Sequence, residues 1–165
     1  RTALRHAALM ETGPVAVRYP RGGEGAFCED TFTQPVVLLR EGKDITLCTY
    51  GILIDTVMDV AGRLEEQGVS AAVVKINQLT DPALEPLMKS AKETGRLLVL
   101  EDCVLDGCVG QKIAGEVMKS GNAVKLKLCN LGNRFIPQGT VQQLYCDYNL
   151  DVCGVLEAAK ELCHG

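Results

Sequence analysis

The sequence predicts an α/β domain: a mixed, mostly parallel sheet with one antiparallel strand and helices on both faces. Three observations carry that expectation. The short apolar runs Ile45 to Thr49, Ala71 to Ile76, Leu97 to Leu100 and Val124 to Leu128 are near-continuous rather than alternating, as strands covered on both faces must be. Amphipathic stretches of helical length lie between them, and a strand–helix–strand repeat implies right-handed crossovers and parallel pairing. A further run, Val36 to Leu39, is separated from Ile45 only by Arg40-Glu41-Gly42-Lys43-Asp44. A hairpin is expected there, adding the antiparallel strand at the front.

Before this domain, residues 1–12 place Ala3, Leu4, Ala7, Ala8 and Met10 largely on one helical face, and Gly13-Pro14 stops the helix. Val15 to Tyr19 reads as a buried strand. From Arg21 to Pro35 periodicity disappears and glycines and polar residues take over, the texture of a linker. One helix and one strand cannot bury a core. Residues 1–21 are therefore expected to be the tail end of one domain, 22–35 a linker and 36–165 a second domain. The missing initial methionine fits that expectation of a fragment.

Within the second domain, a helix is expected from Leu53 to Gln67, with Leu53, Val57, Val60, Ala61 and Leu64 on one face and Gly68 as its stop. Asp81-Pro82 is expected to open the next helix, with Asp81 as N-cap and Pro82 at the first helical position. Its apolar stripe is Leu84, Leu87, Met88 and Ala91, and Gly95 ends it. A helix from Gly110 to Lys119 turns Ile113, Ala114, Val117 and Met118 inward. Thr140 and Gln143 have capping-box spacing for a short helix to about Tyr148. Asp151 caps the last helix, whose buried side is Val152, Val155, Leu156 and Ala159.

Bulk properties exclude several classes. A net charge of −4 argues against a nucleic-acid binder, which carries a basic face. No apolar run approaches the roughly 20 residues that span a bilayer, and the start lacks a signal-peptide pattern. The eight cysteines form no CxxC pair, and the two histidines, His6 and His164, lie at opposite ends. Buried free thiols in a reducing cytoplasm are expected, rather than zinc or disulfides.

The chemistry-bearing candidates are few. Arg18-Tyr19-Pro20-Arg21-Gly22 ends an apolar run and turns, so Arg18 and Arg21 form a cationic fork of the kind that binds phosphate through two oxygens at once. The commoner use of such a pair, as solvated or salt-bridged residues at a strand end, stands beside that reading. Glu101-Asp102, at a strand's carboxyl end, has the composition of an acid–base pair, although carboxylates there more often cap a neighbouring helix or pair across an interface. Gly107-Cys108-Val109-Gly110 sits where a phosphate cradle would. It lacks the spacing and lysine of a P-loop, which favours a tight strand-to-helix turn. Phe135-Ile136-Pro137-Gln138-Gly139-Thr140 is expected to anchor the C-terminal helices. No histidine in the body of the domain is available for a Ser-His-Asp triad.

Taken together, Val15-Ala16-Val17-Arg18-Tyr19-Pro20-Arg21-Gly22, Phe135-Ile136-Pro137-Gln138-Gly139-Thr140 and Asn149-Leu150-Asp151-Val152-Cys153-Gly154 resemble the C-terminal third of the 1-deoxy-D-xylulose-5-phosphate synthases. Glu41-Gly42-Lys43-Asp44-Ile45, Tyr50-Gly51 and Glu101-Asp102 fall between them in matching order. The first motif is shared more loosely with other transketolase-like proteins, and the other two narrow the resemblance to the synthases. Glu101-Asp102 stands where the family has Glu-Glu, and Gly107-Cys108 where it tends to have paired glycines. The resemblance implies that residues 1–21 end a pyrimidine-binding domain and that 36–165 are a transketolase C-terminal domain. It also implies a cytoplasmic, homodimeric parent enzyme that joins pyruvate to glyceraldehyde 3-phosphate with thiamine diphosphate and Mg2+. Arg18 would grip the substrate phosphate, with Arg21 second. The family's GDG-to-asparagine magnesium motif and its cofactor-activating glutamate have no match here, so the fragment alone is expected to be inactive and cofactor-free. The remaining alternatives are a non-catalytic module that packs on a partner, and the equivalent domain of a transketolase or of a 2-oxo acid dehydrogenase β subunit.

Overall fold

A computed structural model of the chain describes residues 2–10, 13–19, 25–32 and 34–164. Its sheet has five strands: β1 (Val36–Arg40), β2 (Ile45–Thr49), β3 (Ala71–Ile76), β4 (Arg96–Leu100) and β5 (Lys125–Cys129). The spatial order is β1-β3-β2-β4-β5. Every neighbouring pair is parallel except β1 with β3. The mixed sheet with one antiparallel strand is therefore as expected, but the hairpin is not.

β1 and β2 do not touch as neighbours; β3 lies between them. The connection arches over the start of β3, where the Lys43 and Asp44 amides donate to Ser70 O at 3.0 and 2.9 Å. Gly42 passes so close to the Ala71–Ala72 backbone that a Cβ there would run into it. A short loop with a glycine serves a hairpin or an arch equally well. What separates them is burial: β2 is buried at every residue, as a central strand must be, while β1 is buried only at Val36.

Alternate residues of the sheet feed two cores. On one face Ile45, Leu47, Val73, Leu98 and Leu100 pack against helices α2 (Ile54–Glu66) and α6 (Val152–His164). On the other, Cys48, Val74, Leu97 and Val99 meet α3 (Glu85–Thr94) and α4 (Val109–Ser120). Helices on both faces follow directly from strands whose two sides are apolar. A buried polar trio sits in the second layer: Thr46 Oγ1 lies 2.8 Å from Ser90 Oγ and 2.9 Å from Thr94 Oγ1. Arg96 closes the far end of α6, donating from Nε to Leu162 O at 3.2 Å and from Nη2 to Cys163 O at 3.4 Å, carbonyls that the helix itself leaves unpaired.

The capping box at Thr140 is formed and starts α5 (Val141–Asp147). Asp151 Oδ1 accepts from Gly154 N at 2.9 Å, as expected of an N-cap. Other local expectations need correction. Helix α3 begins at Glu85, and Asp81 has φ +44° in a turn well before it, so Asp81-Pro82 is not its start. Met118 is 83% exposed and Phe135 96% exposed, so neither packs inward. Val15 to Tyr19 forms no strand, and Val15 and Tyr19 are exposed. Of the cysteines, Cys48 and Cys108 are buried, but Cys28, Cys146 and Cys153 are exposed.

Helix α1 (Thr2–Leu9) buries none of its side chains. It is held instead by the segment that follows: Thr2 Oγ1 donates to Asp30 Oδ2, and the His6 and Phe32 rings lie 5.5 Å apart. Ala26, Phe27 and Thr31 of that segment are in turn hydrogen-bonded to Asp55 of α2 and to Lys75 and Asn77 at the end of β3.

Candidate functional site

In a sheet of this kind the place for a ligand is the crevice at the carboxyl ends of the strands where the order reverses. Here the reversal falls at β2, since the chain moves to β3 on one side and then to β4 on the other. The residues that leave β2 and β4 are Tyr50 and Glu101-Asp102-Cys103, and they meet. Tyr50 Oη donates to Glu101 Oε1 at 3.2 Å and approaches Cys103 Sγ at 3.7 Å. Glu101 is fully buried and its Oε2 accepts from Gly110 N at 2.8 Å. That amide is one of the unpaired donors at the start of α4, where a carboxylate also meets the positive end of the helix dipole. Gly110 has to be glycine, because a Cβ there would run into Glu101 Oε2 and lie 2.9 Å from Leu128 Cδ2.

Of the two readings of Glu101-Asp102, the capping one describes Glu101. Asp102 turns the other way and accepts from Tyr145 Oη of α5 at 3.0 Å. Gly107-Cys108-Val109-Gly110 is the tight strand-to-helix turn, and its helix-start amide at Gly110 is taken by Glu101 rather than left open for an anion.

None of the shifted groups in this cluster is tuned to exchange protons near neutrality. Burial pushes the Tyr50 hydroxyl far above its ordinary value, with Cys103 and Glu101 adding to the effect. Tyr145 is pushed up to about 12 by burial and the Asp102 charge. Cys108 rises to about 11, mainly by burial, and Cys103 is raised for the same reason. At both Cys103 and Tyr145 the positive charge of Arg18 acts in the opposite sense, lowering the pKa. Arg18 itself is exposed. Arg21 lies outside the described residues. Tyr145 and Asp102 were not singled out as a pair by sequence reasoning; only their contact across the fold joins them.

The crevice does not fit a magnesium–diphosphate group. Both oxygens of Glu101 are engaged by protein donors and the residue is sealed from solvent. Among the described residues no group of three or more His, Cys, Asp or Glu side chains could hold a metal ion. Among them, too, no helix is long and apolar enough to cross a membrane.

A five-stranded mixed sheet with this order, a carboxylate-capped α4 and a carboxyl-end crevice define an α/β packing domain with a candidate anion-binding arginine in front of it. Residues 35–155 match the family "Transketolase, C-terminal domain", and the chain belongs to that family. It is 33% identical over 164 residues to 1-deoxy-D-xylulose-5-phosphate synthase of Heliobacterium modesticaldum, covering 96% of this chain and 25% of that protein. The synthase of Desulforudis audaxviator is 35% identical over 159 residues, covering 93% and 25%. The chain thus spans about a quarter of the length of these relatives. A solved structure described as a split gene transketolase, inactive beta4 tetramer, superposes with a TM-score of 0.72 at 28% identity, covering 79% of this chain and 43% of that one.

Proposed function

We propose that this chain is the C-terminal part of a 1-deoxy-D-xylulose-5-phosphate synthase. The parent enzyme condenses pyruvate with glyceraldehyde 3-phosphate, releases carbon dioxide, and feeds isoprenoid and thiamine biosynthesis. One observation carries the reading. The family match begins at residue 35, whereas the synthase relatives align over 96% of the chain. The likeness therefore runs well into the segment that holds Arg18, beyond what membership of the wider domain family requires.

In this reading residues 36–165 are the packing domain and residues 1–21 close a preceding pyrimidine-binding domain. Arg18 grips the phosphate of the acceptor aldehyde, with Arg21 beside it. Thiamine diphosphate and Mg2+ are held by other parts of a cytoplasmic, homodimeric parent, in keeping with a crevice that does not suit them. The 165 residues alone are inactive.

The test is the Arg18→Ala variant of the full-length protein, assayed with each substrate varied in turn. Charge-assisted hydrogen bonds to phosphate are worth enough that the KM for glyceraldehyde 3-phosphate should rise about 10- to 100-fold. The KM for pyruvate, which carries no phosphate, should stay within about twofold. Equal losses for both substrates would remove Arg18 from the phosphate site. The transketolase neighbour described as split-gene and inactive favours one second reading, a non-catalytic chain that works by packing against a partner. Full activity from a parent protein lacking these residues would support it.

A further inference from the structure

Resting on the phosphate-site reading of Arg18, we infer that Asp55 is a positioning residue that pins residues 25–32 as a strap across the domain and thereby fixes where the Arg18 segment leaves it. Asp55 stands in the first turn of α2. Its carboxylate accepts from two successive strap amides, Ala26 N at 3.0 Å on Oδ2 and Phe27 N at 2.7 Å on Oδ1. One carboxylate receiving two backbone donors fixes both the position and the orientation of the peptide plane between them. Gly25 is packed so closely on this carboxylate that a Cβ there would run into Asp55 Oδ2.

The strap is then fastened along its length. Phe27 packs on the α2–α6 core, and Lys75 Nζ lies 5.3 Å from the centre of its ring. The same Lys75 Nζ donates to Thr31 Oγ1 at 3.0 Å. Asn77 Nδ2 donates to Thr31 O at 2.8 Å and to Gln34 O at 2.9 Å. Asp30 and Phe32, on this strap, are also the residues that hold Thr2 and His6 of α1.

Both chain ends of the Arg18 segment are consequently tied to one strap: α1 upstream through Asp30 and Phe32, and Gly25–Phe27 downstream through Asp55. Arg18 and Gly25 are seven positions apart, a reach of at most about 25 Å. Pinning both ends lowers the entropy that Arg18 must lose to meet a phosphate. Releasing the downstream pin restores that cost without touching the guanidinium, the crevice or the core.

The experiment compares Asp55→Ala, Asp55→Asn, Arg18→Ala and the surface control Asp59→Ala in the full-length protein. Two readouts are taken, hydrogen exchange of peptides covering residues 25–32 and the KM for each substrate. Asp55→Ala should speed exchange at Ala26 and Phe27 at least tenfold and raise the KM for glyceraldehyde 3-phosphate several-fold, leaving that for pyruvate unchanged. Asp55→Asn, which keeps one acceptor oxygen, should recover part of both effects, and Asp59→Ala should show neither. Unchanged exchange in Asp55→Ala, or a rise in both KM values together, overturns the inference. If Arg18→Ala leaves the acceptor KM unchanged, the phosphate-site reading fails instead. If Arg18→Ala raises it and Asp55→Ala does not, only the positioning role of Asp55 fails.

Discussion

Replacing Glu101 tests whether the crevice is held together by this one buried carboxylate. Glu101 accepts from Tyr50 Oη and from Gly110 N, and it has no exposed surface. In Glu101→Leu the apolar side chain fills much of the volume, but the Gly110 amide belongs to the backbone and cannot be mutated away. It stays buried at the start of α4 with no acceptor, at a cost of about 1–3 kcal/mol, on top of the lost charge-assisted bonds. In Glu101→Gln the amide oxygen can still serve Gly110 N while its NH2 group faces Tyr50 Oη, a hydroxyl able to turn round and accept. The expected losses are about 3 kcal/mol for the leucine and about 1 kcal/mol for the glutamine. With a urea m-value of about 2 kcal/mol/M, the midpoints fall by about 1.5 M and 0.5 M. The assay is urea denaturation of the 165-residue chain followed by far-ultraviolet circular dichroism. Tyr50→Phe, which removes only the hydroxyl donor, should lie close to the glutamine variant. A leucine variant as stable as the wild type, or one matching the glutamine variant, would refute the reasoning, because the stranded amide would then cost nothing.

Two more predictions follow from the same region and its thiols. Gly110→Ala should destabilise the chain by about 1–3 kcal/mol, the usual cost of overpacking, because its Cβ meets Glu101 Oε2 and Leu128; combined with Glu101→Ala, which clears space, the loss should be less than additive in the same denaturation assay. Burial pushes the Cys108 and Cys129 thiols from an ordinary 9.0 up to about 11, so at pH 8 iodoacetamide should label exposed Cys28, Cys146 and Cys153 well before them, as peptide mass spectrometry would show. The unfolded chain gives up these protons first, so the stability contributed by the two buried thiols is complete below pH 9 and is lost as pH rises toward 11.

The helices and buried strands were legible because they are written in local periodicity. Ala71–Ile76 and the α2 stripe need only their own residues to be recognised. The order of the strands was not local. Arg40–Asp44 is equally suited to a hairpin and to an arch, and the choice between them is made by β3, which comes some thirty residues later and wedges between. Composition does not separate the two strands, since Val36–Leu39 is apolar throughout while Ile45–Thr49 includes Thr46 and Thr49, yet only the second is buried at every residue. Asp81-Pro82 misled for a related reason. An aspartate before a proline serves a turn as readily as a helix start, and the packed stripe of Leu87 and Ala91 begins the helix later. At the site, Glu101 and Arg18 could be picked out by residue type and motif. The Asp55 clamp joins residues 28 and 29 positions apart in the chain, and nothing in its own neighbourhood distinguishes Asp55 from any acidic residue in a first helical turn.

Val15–Tyr19 shows what kind of statement a strand expectation is. Its residues have the β-branched and aromatic character of strands, but propensity only describes how a residue fits a pleated, half-buried surface. A strand also requires a neighbour to complete its backbone hydrogen bonds. Within the sheet described here, β1 and β5 occupy the two edges, and the Val15–Tyr19 run joins neither of them. The same run contains Arg18, so its pairing and the placing of the guanidinium are one question. A neighbouring strand supplied by the rest of the parent protein would satisfy the run's backbone, cover Val15 and Tyr19, and hold Arg18 at the end of a rigid element rather than on an exposed segment. If Arg18 has the phosphate role proposed above, that strand would be a second support beside the strap, and the acceptor KM should depend on both.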